Sequence, residues 1–302
     1  MRIDQTTRIY IAGCGGMLGD AVYRHFAPIA DVRATDIDVN ERWLGYGDVR
    51  DYGEMARQIA DVRPHVIINL AAMTDLEECE RDAESAWATN ALGAENLGLL
   101  ATKHNATYVY VSTAGVFGGE NDVYTDDDTP NPLGSYAKSK YYGECYVRQS
   151  VPRHFVVRAG WMMGGGPRKD KKFVNKIYQQ LAAGKRTLHV VGDKLGSPTY
   201  TVDFARGIHG LLESELYGLY NQVCGGGGSR YDVAVELVRL LGLERTVAVE
   251  KVSSEFFARE YFAMRPASEQ LVNTKLDARH LNVTRDWRVC LAEYVRCFPP
   301  IE

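Results

Sequence analysis

The stretch that most constrains this chain is Gly13-Cys14-Gly15-Gly16-Met17-Leu18-Gly19, a G-x-x-G-x-x-G loop. It lies directly between an apolar, β-rich run (residues 8–12) and a helical pattern (residues 17–26) that stops before Pro28. Each glycine in such a loop answers a separate need. One permits the tight turn, one lets the backbone approach a pyrophosphate, and one lets helix and strand touch, while the helix amino end offers N–H donors to the anion. The pattern predicts a dinucleotide site on Gly13, Gly15, Gly16, Met17, Leu18 and Gly19. Asp36 follows Gly13 by 23 residues, at the end of a second predicted strand. A carboxylate there accepts hydrogen bonds from an adenosine ribose and repels a 2′-phosphate, so NAD(H) is the expected cofactor, with NADP(H) left open. Asp38 takes that role if the strand runs two residues further.

The alternation continues along the chain. Residues 32–35, 66–70, 108–112 and 155–158 read as strands, and 52–60, 78–104 and 135–149 as helices. Such alternation predicts an α/β fold, a Rossmann-type doubly wound parallel sheet covered on both faces. The regularity weakens at Gly164-Gly165-Gly166-Pro167. With 302 residues suggesting about two domains, residues 1–162 are expected to bind NAD(P) and residues 163–302 to form a smaller mixed α/β substrate domain, some of whose elements return to the first. In that second half Phe173, Ile177 and Leu181 recur at helical spacing, and the glycines 225–228 form a loop before a helix over 231–241.

Charge and cysteine usage narrow the partners. Thirty-five Lys+Arg against 39 Asp+Glu give −4 at pH 7, which supplies no global field to hold the protein on nucleic acid or an anionic membrane. Any anion site must be local. Cys14, Cys79, Cys145, Cys224, Cys290 and Cys297 form no C-x-x-C pair, and the seven histidines form no metal-like set. Reduced thiols and a cytoplasmic location are the expectation. Apolar runs such as residues 66–73 are far short of the ~20 residues that cross a bilayer.

Tyr136-Ala137-Lys138-Ser139-Lys140 contains Y-x-x-x-K, which puts both side chains on one helix face, one turn apart. A phenol of reference pKa about 10 needs a nearby cation to work as an acid–base at neutral pH. Lys140 and an oxidised nicotinamide supply one. Ser112-Thr113 ends a predicted strand about two dozen residues earlier, so Thr113 can share a carbonyl oxygen with Tyr136.

With these motifs the chain resembles the extended short-chain dehydrogenase/reductases, and more closely the dTDP-4-dehydrorhamnose reductases. The resemblance runs in family order through Asn69-Leu70-Ala71-Ala72-Met73-Thr74, the 112–119 segment, Tyr136 to Lys140 with Gly143-Glu144, Arg158-Ala159-Gly160-Trp161, Gly196-Ser197-Pro198-Thr199 with Asp203, and Arg265-Pro266. It implies a catalytic triad of Thr113, Tyr136 and Lys140, hydride transfer from a nicotinamide, and a nucleotide-sugar substrate held by the carboxy-terminal half. It further implies that Asp48-Val49 border the adenine and Ala71-Ala72 lie along the cofactor. Met73 and Arg265 join Thr113 as substrate contacts on the same basis; Trp161, directly after a strand at the sheet's functional edge, is expected to wall the substrate, and Lys172 belongs to the basic run Arg168-Lys169-Asp170-Lys171-Lys172, the densest cation cluster of the carboxy-terminal half, which an acidic diphosphate needs. A homodimer is compatible with this reading.

Departures from that family matter as well. Ala114-Gly115 stand where an Asp-Tyr pair is usual, Met73 replaces a tyrosine, and Gly160-Trp161 replaces Ser-Trp. The 4,6-dehydratases of the same superfamily carry an Asp-Glu pair after the threonine, which Ala114-Gly115 cannot imitate. Two rival readings share the fold: an epimerase using transient oxidation, and a non-catalytic nucleotide-binding regulatory subunit. The intact triad opposes the second. Glu77 and Glu80 read equally well as helix-cap and surface residues.

Overall fold

The structure, a computed structural model, describes residues 1–301. Its centre is a seven-stranded parallel sheet: β1 Arg8–Ala12, β2 Asp31–Asp36, β3 Leu44–Tyr46, β4 Val66–Asn69, β5 Thr107–Thr113, β6 His154–Ala159 and β7 Gly218–Asn221. The spatial order is β7-β6-β5-β4-β1-β2-β3. β4 is buried throughout, as are Ile9 to Ala12 of β1, as expected of strands covered on both faces. One face packs Val22 and Phe26 of α1 (Met17–Phe26) with Phe204, Ile208 and Leu211 against Ile9, Ile11 and Ile68. The opposite face packs Met55 and Ile59 of α2 (Tyr52–Val62) with Leu97 and Leu100 against Tyr10, Ile67 and Tyr108.

Two short edge strands, β3 and β7, escape the sequence pattern because each offers only three or four residues and carries a glycine. β7 and the helix before it, Thr201–Ser214, return from the second half to the sheet. The helix expected over 78–104 is interrupted. It comprises α3 (Leu76–Arg81), α4 (Ala83–Trp87), a π-helical turn over Ala88–Leu92, and α5 (Gly93–Lys103). Asp82 ends α3 outside helical geometry, and its carboxylate accepts from the Ser85 amide at 2.9 Å, starting α4 afresh.

The helix that carries Tyr136 and Lys140 is α6, Ser135–Ser150. Its amino end has no cap from its own turn. Glu80 of α3 substitutes, accepting from the Ser135 amide at 2.7 Å and its hydroxyl at 2.9 Å. The remaining second-half elements include α7 (Gly166–Lys169), α8 (Phe173–Ala182), α10 (Arg230–Leu240, numbering Thr201–Ser214 as α9) and a core around Leu181, Leu237 and Trp287. Among the described residues no helix is long and apolar enough to cross a membrane, no group of His, Cys, Asp and Glu is arranged for a metal ion, and all six cysteines are free thiols.

Candidate active site

The glycine loop joins β1 to α1 at the carboxyl ends of the strands. Gly13 has φ +76°, and a Cβ there would lie 2.2 Å from the Ala71 amide nitrogen; one on Gly19 would lie 2.2 Å from the Cys14 carbonyl oxygen. Only glycine permits these approaches. Gly16 caps α1 without any side-chain hydrogen bond, and a Cβ on it would meet nothing within 4 Å. The loop therefore presents uncapped helix N–H groups to open space, which fits a pyrophosphate. Cys14 is buried, with its thiol hydrogen towards the Gly19 carbonyl at 3.2 Å, and burial pushes its pKa up, so it has no thiolate character.

Asp36 closes the other side of the cradle. Its Oδ2 accepts from the Gly15 amide at 2.8 Å and its Oδ1 from the Asp38 amide at 2.9 Å. A carboxylate has about four acceptor sites, so capacity remains for a ribose. Asp38 is turned to Asn40 instead. Asp48 spends its carboxylate on Arg50, while Val49 is buried and its carbonyl accepts from Asn96. Leu18 packs on the core below α1, and Met17 backs onto Gly165.

The basic run does not act as one cluster. Arg168 ion-pairs with Glu41, and Lys169 contacts Glu41 at 3.1 Å, the Gly15 carbonyl at 3.1 Å and Asn40 at 3.0 Å. These two cations face the glycine loop and Glu41. Asp170 turns inward to Tyr294, and Lys172 reaches Thr74, at 3.0 Å from its hydroxyl, beside Met73.

At the end of β5 the Thr113 hydroxyl accepts from the Gly115 amide at 3.1 Å, and the side chain lies beside the Tyr136 phenol. Burial pushes the Tyr136 phenol up to about 12, with the Thr113 contact opposing the rise. Lys140 is buried one turn along α6, its Nζ 4.2 Å from the centre of the Tyr110 ring. Burial pulls it down to about 7, and the Glu144 carboxylate opposes the fall. Glu144 is itself fully buried, accepting from Ser112 at 2.9 Å and from the Arg158 Nε at 3.0 Å. A cavity lined by Leu76, Gly115, Tyr136, Met264 and Pro266 opens beside the phenol.

Two contributors are invisible to motif reading. Asn90 lies in the π-helical turn; its amide accepts from the Met73 N–H at 2.9 Å and donates to the Met73 carbonyl at 3.0 Å and the Ser139 hydroxyl at 3.1 Å. It fixes the 71–74 segment against α6, in keeping with the tendency of π-bulges to sit at functional sites. Glu269 receives the Trp161 indole N–H and sits beside Arg230 and Arg265. Arg265 is held mainly by Glu77, with contacts of 2.8 and 3.0 Å. Glu77 is thus an inward ion-pair partner, not a surface residue.

A phenol and an amine one turn apart on a helix, a threonine at a strand end, and a glycine cradle on the same sheet edge define the class of the short-chain dehydrogenase/reductases. Within it, the chain belongs to the family described as RmlD substrate binding domain, whose sequence model matches residues 7–298. It is 30% identical over 291 residues to the spore coat polysaccharide biosynthesis protein SpsK of Bacillus subtilis, covering 96% of this chain and 97% of that one. It is 32% identical over 294 residues to a dTDP-4-dehydrorhamnose reductase of Streptomyces griseus, covering 95% and 92%. The dTDP-4-dehydrorhamnose reductase of Bacillus anthracis solved in complex with NADP superposes with a TM-score of 0.87 at 27% identity, covering 96% of this chain and 98% of that one.

Proposed function

We propose that the protein is an NAD(P)H-dependent reductase of a nucleotide-linked keto-deoxysugar, acting at the 4-keto carbon. One observation carries the reading: Tyr136 lines a cavity at the end of β5, with the Thr113 side chain beside its phenol and Lys140 buried one turn behind. The glycine loop and Asp36 hold the dinucleotide, with Ala71 and Ala72 alongside, and NADH is preferred because Asp36 faces the loop where a 2′-phosphate would be repelled. When bound, the nicotinamide supplies the hydride. Thr113 orients the sugar carbonyl and donates to its oxygen. Tyr136 keeps its proton at neutral pH because burial holds the phenol near 12, and it delivers that proton to the developing alkoxide. Lys140 as an ammonium stabilises the phenolate left behind, and Glu144 favours that charged form.

Met73, Trp161, Lys172 and Arg265 are the substrate contacts of this reading, with residues 163–302 as the substrate half apart from the segment that returns to the sheet. The six free thiols support a cytoplasmic setting. Incubation with NADH and dTDP-4-dehydrorhamnose, followed by mass spectrometry of the sugar nucleotide, tests the proposal. A product heavier by two hydrogens supports it; unchanged substrate opposes it.

A further inference from the structure

Trp161, Arg230 and Glu269 lie far apart in sequence and meet through a small ribbon. Leu195–Gly196 pairs antiparallel with Gly228–Ser229 and parallel with Ser268–Glu269, so Gly228 and Glu269 flank Gly196 from either side. The Trp161 indole lies against Gly196, where a Cβ would come within 2.3 Å of the ring. Its N–H donates to Glu269 Oε1. Arg230, in the first turn of α10 behind the Ser229–Asp232 capping box, lays its guanidinium 3.9 Å from the centre of the Trp161 ring and 5.0 Å from that of Phe173. It forms no salt bridge among the described residues.

The second carboxylate oxygen of Glu269 has no hydrogen-bond partner among the described residues. It stands 3.6 Å from where a Cβ on Gly115 would be, two residues past Thr113. Its charge is felt by the Tyr136 phenol. The space left by the missing side chain at Gly115 is thus faced by an acceptor from the other half of the chain. An alkyl substituent placed there would bury that acceptor unpaired, which is costly. An ammonium would meet the Arg230 and Arg265 charges beside Glu269. A neutral hydroxyl avoids both penalties.

We propose that Glu269 is a specificity-determining residue, its Oε2 accepting a hydrogen bond from a ring hydroxyl on a carbon next to the reduced one, with Trp161 and Arg230 forming the wall behind it. This rests on the reductase reading. Calorimetric titration of the NADH-loaded protein with dTDP-rhamnose and with dTDP, which lacks the sugar, tests it in wild type, Glu269→Gln and Glu269→Ala. Losing a hydrogen bond to a charged acceptor should weaken dTDP-rhamnose about tenfold or more in Glu269→Ala. The loss should be smaller in Glu269→Gln, which keeps an acceptor oxygen, and dTDP affinity should be unchanged in both. Parallel weakening of both nucleotides, or no change in either, overturns the assignment of Glu269 while leaving the reductase reading intact. Failure of the wild type to bind either nucleotide overturns both.

Discussion

Glu144 lies one helical turn beyond Lys140 and is the carboxylate that opposes the loss of its charge in a fully buried site. Burial alone drives Lys140 towards neutrality, and the ion pair of Glu144 with Arg158 sets how much negative charge it meets. Glu144 and Arg158 therefore set the pH at which Lys140 of α6 changes charge.

The first prediction concerns that range. Lys140 loses its proton as pH rises through about 7, so the reduction rate should decline above that point. Glu144→Gln removes the opposing carboxylate, lowers the Lys140 pKa further and moves the decline to lower pH. A pH–rate profile of the variant that falls at a higher pH than wild type would rule out this coupling.

Lys140 also leaves a mark on stability. Its folded pKa of about 7 lies below the ordinary 10.5, so between these values the unfolded chain binds the additional proton. Stability should then rise with pH across that window, and the cost of burying the charge is fully present below about pH 7. Lys140→Met should flatten this slope in denaturant titrations at roughly pH 6 and pH 9. An unchanged slope would show that Lys140 is charged in the folded protein throughout.

Arg158 is buried with one guanidinium nitrogen unpartnered and the others on Glu144. Arg158→Met removes the buried partner of Glu144 and leaves it only the half-exposed Arg148 at 3.6 Å and the Ser112 hydroxyl, which should cost about 3 kcal/mol. Urea unfolding measures this, and a loss below about 1 kcal/mol would mean that Glu144 takes up a proton or that water enters.

Much of this was legible in the sequence. The glycine loop, the parallel sheet and the Tyr136–Lys140 pair rest on local spacing, which short-range periodicity reports directly, whereas Thr113 is reached through its place at a strand end and through the family resemblance. The interrupted helix was not, since the Asp82 restart and the π-helical turn depend on side chains that compete with an otherwise apolar helical pattern. Asn90 and Glu269 were missed for a different reason. Their partners are 17, 49 and 108 residues away, brought close only by the packing of α6 and by the ribbon at Gly196. The basic run was readable as charge but not as direction: Arg168 and Lys169 turn to Glu41 beside the glycine loop, while Lys172 turns to Thr74.

Cofactor choice is predicted by the same loop. Asp36 sits on the Gly15 amide at 2.8 Å, and Glu41 engages the nearby Arg168 and Lys169, so NADH should bind more tightly than NADPH. Asp36→Ala should narrow the gap in fluorescence titrations. Tighter NADPH binding by the unmodified protein would remove Asp36 from that role.

The central claim is that Tyr136 delivers the proton during reduction of a nucleotide-linked keto-sugar, and its most direct test is NADH consumption on dTDP-4-dehydrorhamnose by wild type and Tyr136→Phe. The wild type should oxidise NADH in step with sugar reduction. The variant keeps the ring but loses the proton-bearing hydroxyl beside Thr113, so its turnover should fall by ~10²–10⁴-fold with NADH affinity little changed. Equal rates in the two proteins, or no NADH consumption by the wild type, would contradict the account.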